Sequence, residues 1–344
     1  MEFRPPSSAV RRVLRERLLP WYEAHRRDLP WRRTRDPYAV AVSEFMCQQT
    51  QVATVVPYFE RWMAAFPDWE ALAAAPEARV LKAWEGLGYY RRARLLHQLA
   101  RTVADSPERE LPQSPEALCA LPGIGPYMAG AIASIAYQQA VPLVDGNVER
   151  VLARLHAFAD PAKSTAAQKQ FWAWAEALVP EERPGDYNQA LMELGARICT
   201  PRSPACLICP LSSGCAGRAA PERYPVIGRP PAIVQQRTYA VVLQRRRVWL
   251  LHPQTPGLWK GLHRLPEFDP AWMALEARCG QATLTITRHR IRAERVAARP
   301  LPGAGPPLTG AWHAWPRLAE LTLPAPHRRI LEAVAGQRGH PLPS

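Results

Sequence analysis

Two carboxylates, a glycine hairpin and four cysteines are the groups in this 344-residue chain whose types and spacing could do chemistry. Glu44 is the one charged residue in Tyr38-Ala39-Val40-Ala41-Val42-Ser43-Glu44-Phe45-Met46-Cys47. On a helix it has Val40 and Ala41 a turn behind and Cys47 and Gln48 a turn ahead. A carboxyl so placed should have a raised pKa, which suits a proton donor. A buried structural acid paired with an arginine is the alternative. Asp145 lies in Val144-Asp145-Gly146-Asn147-Val148, an acid in a glycine turn between apolar runs. Leu121-Pro122-Gly123-Ile124-Gly125-Pro126 cannot continue a helix, because its prolines lack N–H groups and its glycines allow left-handed backbone. Such a hairpin feeding a helix N-terminus aims backbone N–H groups at one spot, where the dipole favours an anion. An ordinary turn would look similar. Cys199, Cys206, Cys209 and Cys215 follow the spacing C-x6-C-x2-C-x5-C. One C-x2-C with longer arms suits a [4Fe–4S] cube better than zinc, which usually takes two such knuckles. Cys47, Cys119 and Cys279 stand alone and read as small buried hydrophobes.

These groups need a helical frame. An amphipathic helix over 10–24 precedes a basic loop, His25-Arg26-Arg27-Asp28-Leu29-Pro30-Trp31-Arg32. Asp36-Pro37 then caps and starts the Glu44 helix. Gln48-Gln49-Thr50-Gln51 follows as a base-reading amide run or a polar cap, and helices are expected over 52–66 and 69–84. Gly86-Leu87-Gly88-Tyr89-Tyr90 runs into Arg91, Arg92 and Arg94. Aromatics beside arginine suit wedging into stacked bases while phosphates are held; a solvated basic helix start is the duller reading. After the hairpin, helices are expected over 127–136, 164–178 and 187–198, the last running into the cysteines.

Composition changes after residue 217. Residues 218–236 are proline-rich without a helical period and read as a linker. Beyond them, 238–244 and 248–251 suggest paired strands, and 271–278 and 326–335 suggest helices, an α+β module over 237–344. That module carries 16 Arg and Lys against 6 Asp and Glu, most of the formal charge of +14. The excess points to a polyanion, most simply nucleic acid. All but four of the 44 basic residues are Arg, which forks onto phosphate, although a GC-rich genome gives the same bias. Arg288, Arg290 and Arg292 alternate along one expected strand and so share a face. No apolar run reaches transmembrane length and no signal-peptide core begins the chain, so a soluble, cytoplasmic protein is expected.

In this order, Leu29-Pro30-Trp31, Ser43-Glu44 with Gln48-Gln49-Thr50-Gln51, Gly86-Leu87-Gly88-Tyr89-Tyr90, Leu121-Pro122-Gly123-Ile124-Gly125, Asp145-Gly146-Asn147-Val148 and the cysteine spacing resemble the helix-hairpin-helix DNA glycosylases with an iron–sulfur cluster. The tail fits one branch of these, the MutY family of adenine DNA glycosylases. The resemblance implies a mainly α part over 1–217, with a six-helix barrel module and a cluster module at 199–215. It also implies a Nudix-like α+β domain over 237–344. The implied activity is excision of adenine mispaired with 8-oxoguanine or guanine in double-stranded DNA, by a monomer carrying a [4Fe–4S] cluster.

Breaking an N-glycosidic bond needs one acid for the leaving base and one carboxylate for the sugar cation. Glu44 suits the first role, by analogy at adenine N7, and Asp145 the second, kept ionised by N–H groups at its turn. Tyr127 would hydrogen-bond either carboxylate and Asn147 would orient water. The resemblance also places Arg27, Trp31, Cys47 and Gln189 around the adenine, with Cys47 where the family commonly has Leu. Gln48, Gln49, Thr50, Leu87 and Tyr89 would meet the DNA stack. Gly123 and Gly125 would hold a phosphate, together with a monovalent cation. Relatives that nick DNA use a lysine where Tyr127 stands, and no lysine lies between Lys82 and Lys163, so base excision without strand cleavage is expected. The Phe-Ser-His-type loop that reads 8-oxoguanine is absent: Ile291-Arg292-Ala293 follows Arg290, and Arg288, Arg290 and Arg292 suggest phosphate contacts instead. The rival readings are a thymine or uracil mismatch glycosylase of the same superfamily and a non-catalytic iron–sulfur DNA-binding protein.

Overall fold

The computed structural model describes residues 4–228, 233–256, 259–286, 289–306 and 308–337. The chain divides into two compact units. One joins Met1–Ala74 to Leu95–Arg229, and the other joins Ala75–Arg94 to Pro230–Ser344. Residues 75–94, with the Gly86–Tyr90 turn, therefore group with the tail and not with the contiguous helical part read from sequence.

Every named element of the first unit is helical among its described residues. The expected 10–24 helix runs as Ser8–Val13, a wide turn at Leu14–Leu18, and Leu19–His25. Pro20 lacks the N–H that would close a normal turn onto Glu16, which accounts for the widening just before it. The Pro37–Cys47 helix starts as its sequence implies, with Asp36 accepting from the N–H groups of Tyr38 and Ala39 at 3.0 and 3.2 Å. Its residues from Tyr38 to Met46 are all buried, so this is a central helix with no solvent face. Pro115–Cys119, capped by Ser114, leads through the hairpin into Pro126–Ile135. Gly123 has φ +76°, and a Cβ there would stand 2.9 Å from side-chain atoms of Phe45 and Leu95, so conformation and packing both demand glycine. Asp145 caps Gly146–Leu155. Pro184–Arg197 starts earlier than residue 187, with Pro184 at the tolerated first position.

The first part of the expected linker is anchored to this unit. Ala162 N–H donates to Val226 O at 2.9 Å, and Arg154 Nε donates to the carbonyls of Pro221 and Tyr224 at 2.8 and 3.1 Å. Its end, from Ile233, is already strand.

The second unit is built on a five-stranded sheet in the order β3-β4-β1-β2-β5. The strands are β1 (Ile233–Gln244), β2 (Arg247–Leu251), β3 (Met273–Ile286), β4 (His289–Pro300) and β5 (Gly310–Ala314). β1 and β4 are parallel; the other pairs are antiparallel. On one face Val241, Val248 and Ile291 share a core with Ile330, Leu331 and Val334 of the Ala325–Gln337 helix. The other face packs Ala240, Val242, Trp249 and Trp272.

The helix expected over 271–278 is not formed; those residues enter β3. Ala, Leu, Glu and Arg give that stretch a helical preference. Pairing with β4, from Met273 opposite Pro300 to Arg278 opposite Val296, outweighs it.

Candidate active site

Glu44 lies on the buried Pro37–Cys47 helix and accepts a hydrogen bond on Oε2 from the Tyr127 hydroxyl. Tyr127 occupies the first turn after the hairpin, and its hydroxyl also lies 3.6 Å from Met192 Sδ. Burial pushes the Glu44 carboxyl up to about 7; the Tyr127 bond and Arg32 pull it down while Asp145 pushes it further up. Of the two carboxylates, Tyr127 serves Glu44. The Tyr127 phenol is raised well above its ordinary value by burial and by both acids, so it stays a proton donor in the bond.

Asp145 is held by its own turn. Oδ1 accepts from the N–H groups of Asn147 and Val148 at 2.9 and 2.7 Å, and Oδ2 accepts from the Asn147 amide at 2.8 Å. Burial raises this carboxyl above its ordinary value, and those three donors together with Arg150 oppose the rise. The Asn147 Oδ1 in turn accepts from Arg150 Nη2 at 2.8 Å. The Asn147 amide thus links Asp145 to Arg150, and it retains one N–H and one lone pair for the water-orienting role expected of it. Gly195 permits the arrangement: a Cβ there would stand 2.6 Å from Asn147 Cβ.

Glu44, Tyr127, Asp145 and Asn147 line one cavity of about 180 Å³, and so do Arg27, Trp31, Cys47, Gln189 and Thr50. Trp31 is buried and meets Phe59 edge-on at 5.2 Å. Cys47, the departure from the family's leucine, is a half-buried wall.

The reading from sequence missed Glu193, which also lines the cavity. It is completely buried and accepts from Arg27 Nε and Nη2 at 2.8 and 2.7 Å and from Arg32 Nη2 at 2.9 Å. Burial works to raise its carboxyl, but the two guanidiniums outweigh it and hold it down at about 2. The arginine-paired structural acid considered for Glu44 is therefore Glu193. One signal was present: Glu193 lies four residues beyond Gln189, on the same side of its helix.

The remaining expected residues are dispersed. Gln48 donates to Met128 Sδ at 3.0 Å, whereas Gln49 is exposed with φ +56°. Gly125 precedes the Pro126–Ile135 helix, and a Cβ there would meet nothing within 4 Å. In the second unit Tyr89 is exposed with φ +48°, but Leu87 is buried, unlike the surface contact expected of it. Arg290 and Arg292 are exposed on β4 while Ile291 between them and Ala293 after them are buried, so the two arginines share a face. Arg288 lies outside the described residues.

The four cysteines follow the Pro184–Arg197 helix. Cys209 and Cys215 are pushed up to about 11, first by burial and also by the neighbouring thiols of the set. Among the described residues no three histidine, cysteine or acidic side chains could hold a single metal ion. Cys199, Cys206 and Cys215 are all electrostatic neighbours of Cys209, and four thiols in one loop are the donor set that a [4Fe–4S] cluster takes. The loop is tied to the acid's helix: Arg150 Nε donates to Cys199 O at 2.7 Å, and Arg154 Nη1 donates to Thr200 O at 2.7 Å and to Cys199 Sγ at 3.3 Å. Arg202 and Arg218 are exposed beside it.

Residues 42–177 match the family described as HhH-GPD superfamily base excision DNA repair protein, and 199–215 match the iron–sulfur binding domain of endonuclease III. Helical frame, hairpin, acid turn and cysteine loop thus define a helix-hairpin-helix base-excision protein with an iron–sulfur cluster site. A thermostable thymine-DNA glycosylase structure is similar at TM-score 0.57 and 30% identity, over 61% of this chain and 97% of that one. An endonuclease III–DNA covalent intermediate shares the fold, at TM-score 0.52 and 23% identity over 61% of this chain and 95% of that one.

Among curated proteins the chain is 31% identical to the adenine DNA glycosylase of Buchnera aphidicola (subsp. Schizaphis graminum), over 77% of each chain. It is 47% identical to that of Mycolicibacterium smegmatis, over 59% of this chain and 69% of the relative. With the human adenine DNA glycosylase it shares 49% identity over 61% of this chain and 40% of the relative's length. The chain belongs to the adenine DNA glycosylase family. It spans about two fifths of the length of the mammalian relatives it matches. Among the described residues no helix is long and apolar enough to cross a membrane.

Proposed function

We propose that this chain is a monofunctional glycosylase that flips adenine out of a mispair with 8-oxoguanine or guanine in double-stranded DNA and hydrolyses its N-glycosidic bond. The observation that carries the reading is a carboxyl titrating at about 7 in the same cavity as a second carboxyl fixed by three N–H donors. An acid near neutrality gives up a proton readily. Glu44 protonates the leaving base, by analogy at N7, as the bond to the sugar breaks and its electron pair goes to the ring. Asp145 faces the cation that develops on the sugar. Water then adds to that carbon and loses its proton to the Glu44 carboxylate. Tyr127 orients the Glu44 carboxyl, and Asn147 orients Asp145.

The base reaches the cavity only by leaving the stack. Arg27, Trp31, Cys47 and Gln189 surround it, with Gln49 and Tyr89 at the duplex. The open backbone at Gly125, at a helix N-terminus, suits a phosphate and an accompanying monovalent cation. The cluster holds the basic loop of Arg202 and Arg218 against DNA and takes no part in bond cleavage. Arg290 and Arg292 contact phosphates, so the opposing base is read less strictly than in relatives with a Phe-Ser-His loop. The protein works as a cytoplasmic monomer.

The identity with adenine glycosylases favours adenine over thymine or uracil. A panel of duplexes with A, T, U or G opposite G or 8-oxoguanine, followed by alkaline cleavage, tests this. Release confined to adenine is expected, and release of T or U in its place would overturn the reading.

A further inference from the structure

Residue 89 is held in a conformation that its side chain resists. Tyr89 has φ +48°, and Gly86 and Gly88 before it have φ +106° and +70°. Glycine takes such backbone freely, whereas a tyrosine there stores strain, which persists only where the surrounding structure enforces it. Tyr89 is 42% exposed while Leu87 before it and Tyr90 after it are buried, so the turn offers one aromatic ring to the outside. Trp84 Nε1 donates to Gly88 O at 3.0 Å, and Arg92 Nη2 donates to the carbonyls of Leu87 and Gly88 at 3.1 and 3.2 Å. The Arg92 guanidinium also lies over the Trp84 and Tyr89 rings, 5.4 and 5.5 Å from their centroids.

Residues flanking this turn mount it on the rest of the second unit. Tyr90 Oη donates to Leu323 O at 3.3 Å, and Lys82 Nζ donates to Ala319 O. Glu85, just before Gly86, accepts from Lys82 Nζ on Oε2 at 2.7 Å. Its Oε1 accepts from Arg328, through Nε at 2.7 Å and through Nη2. Arg328 Nη2 donates as well to Leu321 O at 3.1 Å. The Glu85 and Arg328 side chains are only 14% and 24% exposed, and charge-assisted bonds shielded in this way are the stronger ones. One guanidinium on the Ala325–Gln337 helix thus ties the 319–323 stretch to the foot of the turn.

A wedge needs a mount that does not give way. Opening a base step costs energy, and two glycines leave the 86–90 turn free to bend under that load unless it is braced. We infer that Arg328 is a positioning residue for base extrusion: through Glu85 it braces the turn, so that the Tyr89 ring stays in the stack while the target base is out. The inference rests on the reading of Tyr89 as the side chain that meets the duplex. It gives the second unit a part in extruding the adenine, separate from any reading of the opposing base.

The test uses the whole chain in excess over a duplex with 2-aminopurine in place of the adenine opposite guanine, because 2-aminopurine brightens when it unstacks. Tyr89→Asn tolerates the left-handed backbone, lacks the ring and should lower the extruded-to-stacked ratio about tenfold. Arg328→Met keeps the aliphatic stem, loses the donors and should lower that ratio in the same direction, by about three- to tenfold. Arg328→Lys keeps a charged donor for Glu85 and should recover most of the loss. Arg328→Met combined with Tyr89→Asn should be no worse than Tyr89→Asn alone, since a brace without a wedge holds nothing. Thermal melts check folding, and Glu85→Gln carries the same comparison if Arg328→Met melts below the assay temperature. Additive losses in the double variant would show Arg328 acting on the fold at large and overturn the inference. So would a folded Arg328→Met or Glu85→Gln protein that extrudes like wild type while Tyr89→Asn does not. A Tyr89→Asn protein that extrudes like wild type would instead remove the wedge reading itself, and the brace with it.

Discussion

Replacing Tyr127 by Phe removes the one side-chain hydrogen bond that Glu44 Oε2 receives among the described residues, and its effect on the pH profile can be worked out. That bond favours the ionised carboxyl and holds Glu44 down against burial and Asp145. A hydrogen bond to a charged group contributes about 1.5–3 kcal/mol, and one pKa unit is about 1.36 kcal/mol. Its loss should therefore lift Glu44 by about one to two units above its present value of about 7. If protonated Glu44 is the acid, the single-turnover rate for wild type falls about tenfold per pH unit above that value. In Tyr127→Phe the break should move up by about one to two pH units, while the rates at low pH stay within a few fold. Excision from a duplex with adenine opposite guanine, measured under enzyme excess across the pH range, gives both limbs. A break that stays in place, or moves toward acid, refutes the assignment of Glu44 as the proton donor.

Other perturbations follow from the same groups. Folding raises Glu44 from 4.5 to about 7, so its contribution is full below 4.5 and lost as pH rises through 7. Glu44→Gln should thus gain up to about 3 kcal/mol by denaturant melts above pH 8 and lose about 10²–10⁴-fold in excision rate. Glu193 has the opposite sign: its stabilisation is present above 4.5 and lost as pH falls through about 2. Glu193→Gln should cost about 3 kcal/mol near neutral pH, because Arg27 and Arg32 lose their buried counter-charge; melts indistinguishable from wild type would contradict this. Asp145→Asn should abolish excision while gel-shift affinity for the mispaired duplex survives. Cys209→Ser should lower the iron content per chain and weaken duplex binding in step, and unchanged binding after iron loss would remove the cluster from the DNA contact.

Much of the site was legible because it rests on local patterns. Glu44 is one acid in an apolar helix, Asp145 and Asn147 form an N-cap turn, and the cysteine spacing is contained in seventeen residues. Glu193 was not legible as a buried acid, because its partners Arg27 and Arg32 lie more than 160 positions away. In the tail, 238–244 and 248–251 are short apolar runs that read as paired strands, and they are buried on consecutive residues because both faces of the sheet are covered. Residues 271–278 carry helix-forming side chains, and their strand exists only because β4 is there to pair with them. The grouping of residues 75–94 with the tail is likewise a product of tertiary contacts that no local pattern encodes.

The convergence of two distant carboxylates on one extruded base is tested most directly by a crystal structure of Asp145→Asn bound to a duplex carrying adenine opposite 8-oxoguanine. The adenine should occupy the 180 Å³ cavity with a ring nitrogen in hydrogen-bond reach of Glu44 and the sugar facing residue 145. An adenine still stacked in the duplex, or seated away from Glu44, would contradict the mechanism.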